Sequence, residues 1–66
     1  MESEEYKGYT IEYLIYQASA SKVYYQYIVL HKSGYEICNG VTEIDFNQAR
    51  IEAKREIDYL SKLLGN

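Results

Sequence analysis

The stretch Tyr9-Thr10-Ile11-Glu12-Tyr13-Leu14-Ile15-Tyr16 decides how this chain folds. Tyr9, Ile11, Tyr13 and Ile15 alternate with Thr10, Glu12, Leu14 and Tyr16. A period of two built from β-branched and aromatic residues means a strand, with its odd positions on one face and its even positions on the other. The pattern runs over 6–17, and the small residues Ala18-Ser19-Ala20-Ser21 then break it as a hairpin loop of ordinary length.

Working outward, the alternation returns over 22–32. There Val23, Tyr25, Tyr27, Val29 and His31 stand against Tyr24, Gln26, Ile28 and Leu30. Ser33-Gly34 can take positive φ and closes a tight hairpin into a third, short strand, Tyr35-Glu36-Ile37-Cys38. Asn39-Gly40 is a turn signal that either ends this strand or puts a bulge in it, and a fourth strand over 41–43 is not expected. On the other side, Met1-Glu2-Ser3-Glu4-Glu5 reads as a disordered acidic tail.

The C-terminal segment changes period. Asp45-Phe46-Asn47-Gln48 has an N-cap acceptor followed three residues later by glutamine, the arrangement that satisfies the free amides of a helix start. Phe46, Ala49, Ala53, Ile57, Leu60 and Leu64 follow at spacings of three and four, which forms one apolar stripe. Gly65 can end the helix as its C′ residue. Lys54 with Asp58, and Asp58 with Lys62, stand four residues apart on a charged outer side.

These elements predict an α+β domain over 6–66: a three-stranded antiparallel meander with one C-terminal amphipathic helix on one face (βββα). The face that meets the helix should be the odd one, with Tyr9, Ile11, Tyr13, Ile15, Val23, Tyr25, Tyr27, Val29, Tyr35 and Ile37. The even face then carries Leu14, Tyr16, Tyr24, Ile28 and Leu30 beside Thr10, Glu12, Gln26 and Glu36. That is too apolar for a plain wet surface, and exposed apolar patches on small domains mark contact sites.

Composition narrows the function classes. A chain of 66 residues has one cysteine, Cys38, and one histidine, His31, so it can form neither an internal disulfide nor a closed four-ligand zinc site from cysteine and histidine. A domain this small has a thin stability margin, and oligomerisation is the remaining common support. The acidic N-terminus lacks the basic and apolar regions of a signal peptide, and no apolar run reaches membrane length, so a cytoplasmic location is expected. Nine tyrosines, with no tryptophan and no proline, suit surfaces that are half wet or become buried on association.

No residue set demands a chemistry. His31 reads as a strand-end histidine, Cys38 as a small packed hydrophobe, and Glu52, Glu56 and Asp58 as a solvated helix side. Ile51 and Tyr59, opposite the apolar stripe, could extend a contact surface. The expectation is therefore a non-enzymatic interaction module without cofactor, metal or small-molecule substrate. It should self-associate, or bind another protein, through Leu14, Tyr16, Tyr24, Gln26, Ile28 and Leu30. The alternative is a nucleic-acid binder that stacks bases on the tyrosines of the sheet, using Lys22, Tyr24, Gln26 and Lys32. A formal charge of −3, with Glu12 and Glu36 on the same face, weighs against it.

The run Gly8-Tyr9-Thr10-Ile11-Glu12, the hairpin after it, and Asp45-Phe46-Asn47-Gln48-Ala49-Arg50 leading into Ala53-Lys54-Arg55-Glu56-Ile57-Asp58 resemble small stand-alone βββα proteins of bacteria and their phages. That resemblance implies the fold and no function. Related modules, such as integrase arm-binding domains, bind DNA through a basic sheet face, whereas this face is apolar and acidic. No functional residue carries over.

Overall fold

A computed structural model describes residues 2–64. It shows β1 (Glu2–Tyr6), β2 (Tyr9–Ser19), β3 (Lys22–Leu30), β4 (Glu36–Thr42) and α1 (Phe46–Leu63). The four strands form one antiparallel meander in the order β1-β2-β3-β4, with α1 across one face. The α+β class and the C-terminal helix are as read from the sequence. The strand count is four instead of three, because residues read as a tail form β1. Gly65, the expected C′ residue, lies outside the described residues.

The fourth strand is β1, whose residues have no apolar alternation to reveal it. Glu4 lies opposite Ile11 and Tyr6 opposite Tyr9, so both side chains fall on the helix side of the sheet. There they are held by charge. Arg50 donates to the Glu4 carboxylate from Nε at 3.1 Å and Nη2 at 3.4 Å, and the Tyr13 hydroxyl donates to it at 2.7 Å. Lys54 Nζ stands 3.6 Å from the same carboxylate. One turn further along α1, Asp58 accepts from the Tyr6 hydroxyl at 2.9 Å and from Lys7 Nζ at 2.7 Å. Lys54 and Asp58 therefore pair with β1 and its turn.

The β1–β2 connection is the two-residue turn Lys7-Gly8, with φ of 51° and 87°. Positive φ at both positions matches the twist of a hairpin. It suits Gly8 and costs a lysine about 1–2 kcal/mol. The ion pair of Lys7 with Asp58 ties this turn to the helix.

The core lies between the odd positions of β2 and β3 and the helix stripe. Tyr9, Ile11, Tyr13, Tyr27, Val29, Ala49, Ala53 and Ile57 are buried, and Tyr6, Tyr25, Ile37, Cys38 and Phe46 pack against them. The two alanines let the helix backbone approach the sheet. Asp45 caps α1 by accepting from the Gln48 amide at 2.8 Å, as its position in the sequence predicts.

Three core expectations fail at the margins. Ile15 is 56% exposed because α1 begins over Tyr13, whose ring meets Phe46 edge-on at 5.0 Å, and the tip of the β2–β3 hairpin projects past it. Tyr35 is exposed because it precedes β4 and stacks on His31 in the turn. Leu64 is exposed at the helix end, while Ser61 takes a buried position on the stripe. The hairpin itself is tighter than expected, since β2 continues to Ser19 with an irregularity between Gln17 and Ser19.

β4 also departs from the expected register. Leu30 lies opposite Glu36 and Val29 opposite Cys38, which leaves Ile37 as an extra residue on β4. This bulge flips the alternation, so Cys38, Gly40 and Thr42 share the helix side with Val29, Tyr27 and Tyr25. Asn39-Gly40 makes no turn. Gly40 lies opposite Tyr27, and a Cβ placed there would sit 2.4–2.6 Å from the phenol ring and its oxygen. The glycine is needed because an aromatic ring lies across it.

Candidate interaction surface

The side of the sheet away from α1 is built in rows across the strands. Tyr16 pairs with Tyr24, and Leu14 with Gln26 and, beyond it, Val41. Glu12 pairs with Ile28 and Asn39, and Thr10 with Leu30 and Glu36. Ser3 and Glu5 extend the last two rows onto β1. All six residues singled out from the sequence, Leu14, Tyr16, Tyr24, Gln26, Ile28 and Leu30, lie on this face, and no element of the described chain covers it.

Its exposure is graded. Tyr16 is 47% and Val41 49% exposed, while Leu14, Tyr24, Gln26, Ile28 and Leu30 are half-buried by one another. The Tyr16 and Tyr24 rings stack with centroids 5.4 Å apart and planes at 30°. The pair thus forms a pre-ordered aromatic step. Four members of the face escape sequence reading. Asn39 and Val41 follow a turn signal and Ser3 and Glu5 read as a tail; the bulge at Ile37 and the charge pairing of β1 place them here.

The charges are unevenly distributed. At the hairpin tip Lys22 Nζ lies 3.6 Å from Glu43 Oε1. At the opposite end stand Glu5, Glu12 and Glu36, none of which makes an ion pair among the described residues. Glu36 accepts only from Asn39 Nδ2, at 2.6 Å. Arg50, Lys54 and Lys7 are all engaged on the helix side.

No protein family, curated protein or solved structure matches the chain. The site rests on its own geometry.

The remaining features are local. His31 Nδ1 accepts from the Ser33 backbone amide at 3.1 Å and lies 2.8 Å from Ser33 Oγ. Its ring stacks on Tyr35 at 4.7 Å. This fixes the turn, which is also closed by the Gly34 amide donating to the His31 carbonyl. Beside it lies an open hollow of about 570 Å³, lined by Tyr9, His31, Tyr35, Ile37, Leu60 and Leu64 with Glu36 at its rim. Cys38 sits against the core, and burial pushes its thiol pKa up, away from nucleophilic character. Among the described residues no cluster of histidine, cysteine or carboxylates could hold a metal, and no helix is long and apolar enough to cross a membrane. Lys22 and Lys32, the cations of the nucleic-acid alternative, lie at the two ends of β3, and Lys22 is paired with Glu43.

Proposed function

We propose that this chain is a non-enzymatic protein-interaction module that self-associates through the open sheet face. The observation that supports the reading is one contiguous surface, Leu14, Tyr16, Tyr24, Ile28, Leu30 and Val41, on a sheet with a layer on its other side only. A four-stranded sheet about 19 Å wide, with strands of 5 to 11 residues averaging about 27 Å, offers roughly 500 Å² per copy. Two copies face to face would remove about 1,000 Å² from water, the threshold at which specific interfaces begin. A domain of this size has reason to acquire that third layer.

The test is molecular mass by sedimentation equilibrium over a concentration series, for the native chain and for Ile28→Lys. The native chain should move from monomer to dimer as concentration rises, and the lysine variant should stay monomeric with its far-UV dichroism unchanged. A native chain monomeric at millimolar concentration defeats the proposal.

A second reading, single-stranded nucleic-acid binding, draws on the stacked Tyr16–Tyr24 step, since aromatic faces hold bases. The unpaired carboxylates on the face oppose it. Oligonucleotide binding at low salt that falls steeply as salt rises, and is lost in Tyr24→Ala, would favour it over self-association.

A further inference from the structure

We propose that the hollow beside the His31–Tyr35 turn receives a lysine side chain of a partner protein. The stem lies against Ile37 and Leu60, and the ammonium comes within reach of the Tyr9 hydroxyl and the Glu36 carboxylate. This contact is separate from self-association, since Tyr9, Ile37 and Leu60 belong to the helix side of the molecule.

Tyr9 carries the proposal. Its neighbours on the same side of the sheet, Tyr6 and Tyr13, donate their hydroxyls to Asp58 and Glu4. Tyr9 is only 8% exposed, yet its hydroxyl has no hydrogen-bond partner among the described residues. Every enclosed side-chain nitrogen and oxygen of those residues is partnered. The Tyr9 hydroxyl therefore meets solvent, and Tyr9 lines the hollow. A phenylalanine would fill the core as well and leave no polar atom to satisfy. The hydroxyl is left for a polar group that enters from outside.

The rest of the hollow selects that group. Aromatic faces beside a carboxylate attract a cation and repel an anion. Glu36 makes no ion pair among the described residues, and the cations without one, Lys32, Arg55 and Lys62, do not line the hollow. Asn39 Nδ2 occupies Glu36 Oε2 at 2.6 Å, which leaves Oε1. One free oxygen suits the point charge of an ammonium better than the two parallel N–H groups of a guanidinium. Ile37 and Leu60 supply apolar surface for an aliphatic stem. The outer walls, Tyr35 and Leu64, are exposed, whereas a free ligand is normally enclosed over roughly 70–90% of its surface. An open hollow fits a side chain whose backbone stays outside.

Nα-acetyl-lysine methylamide is the probe, followed through the amide and methyl resonances of the native chain. Signals of Tyr9, Ile37 and Leu60 should shift with one constant, at about millimolar strength for a stem of about five non-hydrogen atoms. The norleucine analogue, which keeps the stem and lacks the ammonium, should bind about tenfold more weakly, the worth of one hydrogen bond to a charged group. Equal shifts from the two probes, or none from lysine at tens of millimolar, would overturn the proposal. The arginine analogue should bind less tightly than lysine, and putrescine, a free diamine, no more tightly. The reverse order in either comparison overturns the assignment to a protein lysine.

Tyr9→Phe gives a second readout. It removes no hydrogen bond within the described chain, so the denaturation midpoint should hold while lysine binding falls about tenfold. Glu36→Gln should weaken binding about two- to fivefold at low salt and less at high salt. A Tyr9→Phe chain that binds the lysine probe as the native chain does would also overturn the proposal.

Discussion

Gly40 shows how a single position is set by a ring on the neighbouring strand. Any side chain there would enter the space of Tyr27, which is buried and cannot swing out without opening the core. Gly40→Ala should therefore destabilise the fold by about 1–3 kcal/mol, the usual cost of overpacking. Tyr27→Leu should remove most of the additional loss in a double-mutant cycle, because the two residues then cease to compete for the same volume. Chemical denaturation of the four chains checks this, and additive effects would contradict it. The case also shows where local reading stops. Asn-Gly is among the strongest turn signals a sequence offers, and here the glycine serves a contact whose other half lies 13 positions earlier, at Tyr27.

Among the elements, β1 depends most on electrostatics. None of its side chains is fully buried, and its hold on α1 runs through Glu4 and Tyr6. Hydrogen bonds from Arg50, then Tyr13, keep the Glu4 carboxyl pKa below its ordinary value, and Lys7, then Tyr6, does the same for Asp58. A carboxylate whose folded pKa is depressed contributes stability above its unfolded pKa, near 4, and loses that contribution as pH falls through the folded value. Hydrogen exchange of the β1 amides should therefore accelerate relative to β2 and β3 on acidification below about pH 4. In Glu4→Gln the exchange should already be faster at neutral pH and should change less with acid. Uniform behaviour of all four strands would contradict this. β2, β3 and α1 were legible because each carries its own period and, for α1, its cap at Asp45. β1 was not, since its side-chain partners on α1 lie 46 to 52 residues away in sequence.

At the scale of the molecule, the fold is a sheet with one layer where two would fit. The helix covers the odd positions of β2 and β3 and leaves Leu14, Tyr16, Tyr24, Ile28 and Leu30 on the far side. That face was legible from strand alternation alone, because a register tied to a buried core fixes the other side as well. Val41 and Glu5 were not, as their facing depends on a bulge and on charge pairing. If a second copy covers this surface, methyl resonances followed with concentration report it. Signals of Leu14, Ile28, Leu30 and Val41 should shift together with one dimer constant while those of Ile11, Val29 and Ile57, buried under α1, stay fixed. Invariant shifts on the open face, up to the solubility limit, would contradict the claim.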